Sequence, residues 1–302
     1  MEIIVIDPLV DFACHLLLGS PDHPRITIHF LNSILRPKVP IVAVSILNPM
    51  VGKEFDDDKY CILDVLATDQ LGRLFNIEVQ RAIQVGLSQR LTYYVATQLV
   101  GQIGDGDGYQ LLRPSIGICI LDAMLFPQLP GYYHDFQLRT PEGHLFTDCL
   151  QVHILELPKY ANLSHNSQIE PGRDAWAHFF KRAKGRTPAM LLDELPDPVF
   201  AEALGVLEMI ARSPEERRLY EARLKFQRDE QARLDYATQQ GEARGEARGE
   251  ARGRTKGEAI GRLRMLQEML SSPKSTESEL DAMSVEVIND QVVELQAKLR
   301  LR

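Results

Sequence analysis

The chain has 302 residues, of which 44% are hydrophobic and 25% charged, a composition typical of a globular protein that can bury a core. No window has the length and apolarity of a membrane span, and the N-terminal segment MEIIVIDPLVD lacks the basic region of a secretory signal, so we expect a cytoplasmic protein without a membrane partner. The four cysteines form no CxxC pair, which disfavours a zinc site or a disulfide framework and indicates reduced thiols.

Charge is distributed unevenly along the chain. Residues 1–157 hold 10 Lys and Arg against 18 Asp and Glu, which accounts for the whole net charge of −8 because residues 158–302 hold 24 of each kind. An acidic N-terminal half is not typical of a general nucleic-acid-binding protein. Local basic segments such as KRAKGR (181–186) can nevertheless attract phosphates.

The first part of the chain predicts two helices followed by strands. Residues 7–19 and 26–36 have the apolar spacing of short helices, and IVAVSILNP (41–49) is a β-branched run that ends in Asn-Pro, as expected of a strand. Two further apolar runs, 60–68 and 74–80, flank a polar turn. Together they predict a β-hairpin.

The pattern then changes to helical from Arg81 to Ile103 before strands return. Strands are predicted over residues 113–126, 133–140 and 148–157. A helix embedded among strands implies a mixed α/β sheet.

The second half of the chain predicts helices. Residues 172–235 are helical with proline breaks, and we expect three aromatic side chains there to pack back on the core: Trp176, Phe179 and Phe180. A last helix over about 284–300 carries one apolar stripe, formed by Val285, Ile288, Val292, Leu295 and Leu299, and is a candidate for contact with a partner helix.

Between these parts lies the repeat GEARGEARGEARGRTKGEAIG (241–261), with a glycine at every fourth position. Each glycine costs a helix roughly 1 kcal/mol relative to alanine, and like charges recur on adjacent turns. The pattern favours a low-complexity linker or weak helix. The alternative is a glycine stripe for close helix–helix contact in a dimer.

The predicted hairpin carries one carboxylate on each arm. If its turn is centred near Leu71, positions whose numbers sum to about 142 face each other, so Asp64 lies opposite Glu78, and Gln80 shares the face of Glu78. Two opposed carboxylates repel each other. A bound divalent cation would remove this repulsion, because hard cations are coordinated by oxygen ligands. The alternative is a solvated face, since the other face is apolar (Leu63, Val65, Ile77 and Val79).

These residues belong to a longer familiar pattern. LDVLATDQLGRLFNIEVQ (63–80), followed by RLTYYVA (90–96), closely resembles the PD-(D/E)XK nuclease superfamily, and within it the bacterial recombination-promoting nuclease and transposase family. Other segments resemble the opening helices and later strands of that family: VDFACHLLLG (10–19), HFLNSIL (29–35), GDGYQLLRPSIGICIL (106–121) and HILELPKY (153–160). The resemblance covers about 1–240 well and the tail loosely, and its most specific part is the D…IExQ…RxxYY block.

The resemblance implies an α/β fold with a restriction-endonuclease-like mixed β-sheet core flanked by helices and a helical C-terminal extension. We accordingly divide the chain into a nuclease-like core (1–160), a helical extension that packs on the core (161–240), and the repeat with the terminal helix (241–302).

The resemblance also implies a DNA endonuclease that depends on Mg²⁺ or Mn²⁺. Asp64, Glu78 and Gln80 then carry over as the catalytic residues, with Asp64 and Glu78 as metal ligands and the Val79 carbonyl as a third oxygen. Gln80 occupies the position of the superfamily's catalytic Lys, where it can orient a water but supplies no charge, so the metal must stabilise more of the transition-state charge.

The helices on either side of the hairpin contribute further residues by resemblance. Asp11 matches the first-helix acid, a further candidate for the metal site, although an early acid also favours the helix dipole. Arg90 and Tyr94 match RxxYY as substrate-binding residues; Arg90 can hold a phosphate oxygen or pair with an acid. The first helix departs from the family pattern, with Cys14 and His15 where the family has Phe and Lys.

Two other functions stay open at this point. The chain can be a catalytically inactive nuclease-fold scaffold that binds DNA or protein, an interpretation favoured by the acidic N-terminal half and the altered first helix. The substrate can be RNA instead of DNA. A homo-oligomer formed through the C-terminal helix is a further expectation.

Overall fold

The computed structural model describes residues 3–48, 65–163 and 169–300. Its centre is a mixed six-stranded sheet in the order β1-β2-β3-β4-β6-β5. The strands are β1 (Val44–Ile46), β2 (Val65–Asp69), β3 (Leu74–Gln80), β4 (Ser115–Leu121), β5 (Tyr133–Arg139) and β6 (Leu145–Glu156). Strands β3, β4 and β6 run parallel, and the other neighbours pair antiparallel. This mixed α/β sheet confirms the predicted fold class.

Helices of the first part of the chain pack on both faces of this sheet, and further helices follow in the sequence. The helices are α1 (Asp11–Leu18), α2 (Pro24–Leu35), α3 (Leu87–Val100), α4 (Leu157–Leu163), α5 (Arg173–Arg182), α6 (Pro188–Glu194), α7 (Pro198–Arg212), α8 (Pro214–Met269), α9 (Glu277–Ala282) and α10 (Val285–Arg300). Proline is the first residue of four of them (α2, α6, α7 and α8), where its missing N–H costs no hydrogen bond. No helix within the described ranges is long and apolar enough to cross a membrane.

The hairpin has the predicted register. Val65 pairs with Ile77 and Ala67 with Phe75, so paired positions sum to 142 as the sequence indicated. The Asp69 carboxylate accepts the backbone N–H groups of Leu71 and Arg73, and Gly72 adopts a φ of +75° in the turn. These turn interactions fix the register, and through it the face on which each side chain lies.

The two faces of the sheet have separate cores. On one face Val65, Ile77 and Val79 pack with the buried side chains of α1, α2, α5 and α7. The predicted aromatic residues lie in this core, because Trp176, Phe179 and Phe180 are buried there. On the other face α3 packs against the sheet, with Leu87, Leu91 and Val95 contacting Cys119, Leu121, Val152 and Ile154.

Helix α3 begins later than its apolar pattern predicted. The expected start was Arg81, whereas the helix begins at Leu87, after Gly86 with a φ of +81°. Gly86 can adopt this left-handed conformation without strain, and it separates the loop after β3 from the helix.

Residues 1–228 and 229–302 form two compact units. In the second unit the end of α8 packs with α9 and α10 through Leu263, Leu266, Leu280, Ile288 and Val292. The apolar stripe predicted on the last helix therefore has a partner within the chain. The repeat 241–261 is helical throughout, which agrees with the weak-helix form of the prediction and not with an unstructured linker. A Cβ on any of its glycines would meet open space within the described part of the chain.

Candidate active site

Glu78 and Gln80 lie near the carboxyl end of β3 on the face covered by α3. In the parallel register Glu78 is beside Cys119, and Gln80 is beside Leu121, both in the α3-side core. The Glu78 side chain is only 2% exposed, whereas Gln80 is half-buried. A carboxylate in such surroundings is costly unless a cation or hydrogen bonds compensate its charge.

Arg90 reaches Glu78 from the first turn of α3. Its Nη2 lies 3.7 Å from Oε2 of Glu78, and its Nη1 donates a 2.6 Å hydrogen bond to Oε1 of Gln84. The buried Nε and Nη2 groups of Arg90 have no hydrogen-bond acceptor among the described residues. The guanidinium therefore combines a loose ion pair with buried donors whose hydrogen-bonding capacity is not filled.

The approach of α3 to the sheet depends on Gly117 of β4. A Cβ at this position would lie 2.8 Å from Cγ1 of the fully buried Val95. Glycine therefore lets α3 pack close to the strands, which sets the position of Arg90 relative to Glu78.

Tyr94 lies one turn after Arg90 on α3. It is half-buried, and its ring centroid is 6.3 Å from that of Tyr93, which is 67% exposed. The two tyrosines thus form an aromatic surface next to the arginine, outside the hydrophobic core.

Asp11 belongs to a different environment. Its carboxylate forms an ion pair with the Arg223 guanidinium, whose Nε lies 3.2 Å from Oδ1 and 3.1 Å from Oδ2. The buried side chains of α1, including the unusual Cys14, pack on the face of the sheet opposite Glu78. His15 is also buried, so both departures from the family pattern lie in the protein interior.

The structure thus brings together Glu78, Gln80 and Arg90. Asp64 lies outside the described residues, directly before Val65 of β2. Within the described residues no group of three His, Cys, Asp or Glu side chains is arranged to hold a metal ion. Glu78 and Gln80 nevertheless offer a carboxylate and an amide oxygen on one face, which is the donor type that Mg²⁺ and Mn²⁺ prefer.

Polar residues that the sequence reasoning missed stabilise the end of β3. The backbone N–H of Asp122 donates to the Gln80 carbonyl at 2.8 Å, and the Asp122 carboxylate accepts from Lys181 at 2.7 Å. Arg81 is paired with the buried Asp7 at 3.2 Å. The available signal was the position of Asp122 directly after a buried strand, where polar residues of parallel sheets converge.

Glu156, at the end of β6, was also missed. It is fully buried and shares a face with Gln80, because Leu121 pairs with both residues. Burial by itself raises the pKa of Glu156, but hydrogen bonds from Lys159, the Phe126 N–H and His134 outweigh this effect and hold the pKa below its usual range. Glu156 is therefore a compensated anion that orders the loop after β4.

Comparison with known proteins gives one match. A family model described as PD-(D/E)XK nuclease family transposase matches residues 8–237, which include the whole sheet and the α3 helix with its RxxYY sequence. Neither the curated proteins nor the solved structures contain a match to the chain. Because the model covers about three quarters of the sequence, the chain belongs to the PD-(D/E)XK nuclease family transposases.

Proposed function

We propose that the chain is a divalent-metal-dependent endonuclease that hydrolyses phosphodiester bonds in DNA. The observation that carries the proposal is the buried Glu78 carboxylate beside Arg90, whose Nε and Nη2 donors have no acceptor among the described residues. A metal-binding anion and a phosphate-binding cation on one sheet face are the two components that phosphodiester hydrolysis needs. The family match supports a nuclease or transposase-like role.

The proposal places the metal on Glu78 and Asp64. The hairpin register supports this choice. Val65 pairs with Ile77, so continuing the same register by one position would put Asp64 opposite Glu78. A bound Mg²⁺ or Mn²⁺ would act as a Lewis acid and lower the pKa of a coordinated water. Asp11 is given no ligand role, because Arg223 already neutralises its carboxylate.

The remaining residues position the substrate. The Arg90 side chain is 29% exposed, and its guanidinium binds a phosphate oxygen after it turns its buried Nε and Nη2 donors toward solvent. Gln80 can orient the attacking water through its amide but adds no positive charge. In this proposal Tyr94 contacts the DNA backbone next to the reacting phosphate, which is supported by its place one helical turn after Arg90.

A nicking assay on supercoiled plasmid tests the proposal. With Mg²⁺ or Mn²⁺ the wild-type protein should convert the plasmid to open circles, and Glu78→Gln should abolish this activity because the metal loses a charged ligand. Gln80→Ala should reduce the rate less, and Gln80→Lys should retain activity. Glu142→Gln is the matched control, since it makes the same chemical change at an exposed turn position.

The outcomes separate the nuclease from the scaffold. Equal nicking by wild type and Glu78→Gln would assign the activity to another site or to a contaminant. Absence of nicking with both metals, together with retained DNA binding, would favour a non-catalytic scaffold. Preferential cleavage of RNA by the wild type, lost in Glu78→Gln, would keep the site and change the substrate.

A further inference from the structure

A second site lies at the other end of the sheet, near the amino ends of β3 and β4. A cavity of about 720 Å³ opens there, and its lining includes four cations, Arg36, Lys38, Arg73 and Arg113. Arg73 stands five residues before Glu78, so in an extended chain of about 3.3 Å per residue the two are on the order of 16 Å apart. The cavity is therefore separate from the candidate active site.

The concentration of positive charge in this cavity is unusual for this half of the chain. Residues 1–157 contain 10 Lys and Arg against 18 Asp and Glu, yet four of those 10 cations line one cavity. Two acids also line it, Asp135 and Asp148, and Asp69 pairs with Arg73, so four cations against three acids leave a net charge of +1. Buried His153 adds no charge at neutral pH, because burial lowers its pKa to about 4.

Two of the cations are held in place by the hairpin turn. The buried Asp69 carboxylate accepts from the Arg73 Nε at 2.6 Å, and Arg73 Nη2 donates at 3.5 Å to the carbonyl of Val39, which also lines the cavity. The Arg113 side chain crosses Gly72, where an added Cβ would lie 3.3 Å from Cγ of Arg113. Arg113 also donates to two nearby backbone carbonyls at 3.3 Å, so both side chains are already ordered and lose little conformational entropy when they bind an anion.

The other two cations follow helix α2. Arg36 ends that helix in a left-handed conformation with a φ of 47°, and both Arg36 and Lys38 are exposed. Neither side chain has a hydrogen-bond or ion-pair partner within the described ranges, whereas most other lining groups do. Their charges are thus available to a ligand.

Arg173 adds to the positive charge next to the cavity. Its guanidinium lies 3.4 Å from the centre of the Tyr133 ring, which lines the cavity, and its Nε has no hydrogen-bond acceptor among the described residues. Burial lowers the pKa of Arg173, the Tyr133 side chain partly offsets this effect, and repulsion from Arg36 lowers the pKa further. Positive charge that repels itself in this way would be stabilised by a bound anion.

We propose that this cavity binds backbone phosphates of DNA at a position remote from the cleaved bond. Fixed guanidinium groups suit phosphate oxygens because they donate paired hydrogen bonds, and most protein–DNA hydrogen bonds go to the backbone. The inference rests on the proposed function for the identity of the nucleic acid, and it explains how a protein with an acidic N-terminal half holds a polyanion.

The test compares two double variants of the full-length chain with equal net charge. Arg36→Gln with Lys38→Gln removes the two unpartnered cations of the cavity. The control, Arg212→Gln with Arg217→Gln, removes two exposed cations that pair within helices, with Glu208 and Glu221. Binding of a fluorescein-labelled DNA duplex is measured by anisotropy in EDTA at several salt concentrations, and melting curves verify that both variants fold.

The cavity variant should bind at least about tenfold more weakly at 0.1 M salt, and its slope of log K against log[salt] should fall by about two, one for each lost phosphate contact. The control should resemble the wild type. Equal affinities for the two variants, or a wild type that binds no DNA, would overturn the inference.

Cleavage kinetics separate this inference from the proposed function. In nicking assays the cavity variant should show a raised KM with an unchanged kcat, because the cavity binds DNA but does not contact the reacting phosphate. A lower kcat with unchanged affinity would overturn the inference and assign these cations to the chemistry. A wild type that binds DNA through the cavity but does not cleave it would uphold the inference while the nuclease proposal fails.

Discussion

Replacement of Gly117 by Ala tests whether the approach of α3 to the sheet sets the active site. The added Cβ would lie 2.8 Å from Cγ1 of Val95, a distance that real Cβ contacts essentially never show. Val95 is fully buried and β-branched, so it has little freedom to rotate away. Helix α3 must therefore move outward, and it carries Arg90 with it.

The expected loss of stability in Gly117→Ala is that of one extra methyl group in a filled core. Extra atoms in a filled core typically cost about 1–3 kcal/mol. Val95→Ala removes the opposing methyl groups and costs a similar amount by itself, since it leaves a cavity. The two changes affect the same contact. The double variant should therefore lose less free energy of unfolding than the two single variants lose in total, by at least about 0.5 kcal/mol.

Urea denaturation of the four proteins in the double-mutant cycle measures this coupling. Additive losses in the free energy of unfolding would refute the claim that Gly117 makes room for Val95. Plasmid nicking gives the functional readout, because a displacement of about 1 Å can reduce a catalytic rate on the order of 100-fold. Gly117→Ala should thus lose more activity than Val95→Ala, and the double variant should recover part of that loss.

Three further predictions concern the stability of the first unit. Trp176→Ala should lower the free energy of unfolding by about 3–5 kcal/mol in urea, because the ring is fully buried among aromatic side chains; a loss below about 1 kcal/mol would contradict that packing. Burial lowers the pKa of His153 from 6.5 to about 4, so the unfolded chain binds the proton first and stability should fall as pH drops from 6.5 to 4; an equally steep fall in His153→Gln would exclude this residue as the cause. Truncation after Gln240 should leave a soluble protein whose near-UV circular dichroism keeps the Trp176 signal, since residues 1–228 form their own unit; aggregation of the fragment would argue against it.

The hairpin shows what the sequence was able to predict. The alternation of apolar and polar residues, with a turn near Leu71, was enough to place Val65 opposite Ile77, because a one-residue slip would have exposed the apolar face. The same argument put Glu78 and Gln80 on one face. It did not predict which helix covers that face, since strand periodicity carries no information about the far partner.

Long-range pairs of charges were the part of the site that local patterns did not reveal. Arg223 binds Asp11 across 212 residues, and Lys181 binds Asp122 across 59. Charged residues are common on the surface of every helix. No sequence spacing therefore identifies which Lys or Arg forms an ion pair with a given carboxylate. The sequence accordingly assigned Asp11 by resemblance alone.

The repeat 241–261 is helical, and local reasoning left this open because a linker or a weak helix was expected. The glycine cost was counted residue by residue, while Ala, Glu and Arg between the glycines are good helix formers. Its downstream end is also anchored, because Ala259, Leu263 and Leu266 pack against Leu280 and Ile288. A helix that is anchored at one end can include residues of low helix propensity, such as glycine, that would prevent an isolated peptide from forming a helix.

The net charge of residues 1–157 does not by itself decide whether the protein can bind nucleic acid. The excess of acids in residues 1–157 suggested weak attraction to nucleic acid, but binding depends on where cations lie, not on their sum. Several of the acids are neutralised internally, as Asp7 is by Arg81 and Asp69 by Arg73. An acid that holds a guanidinium in place also lowers the entropic cost of using that guanidinium on a ligand. In the DNA-binding proposal Asp69 therefore has two opposed effects, because it orients the Arg73 guanidinium and also reduces the positive charge that a phosphate meets.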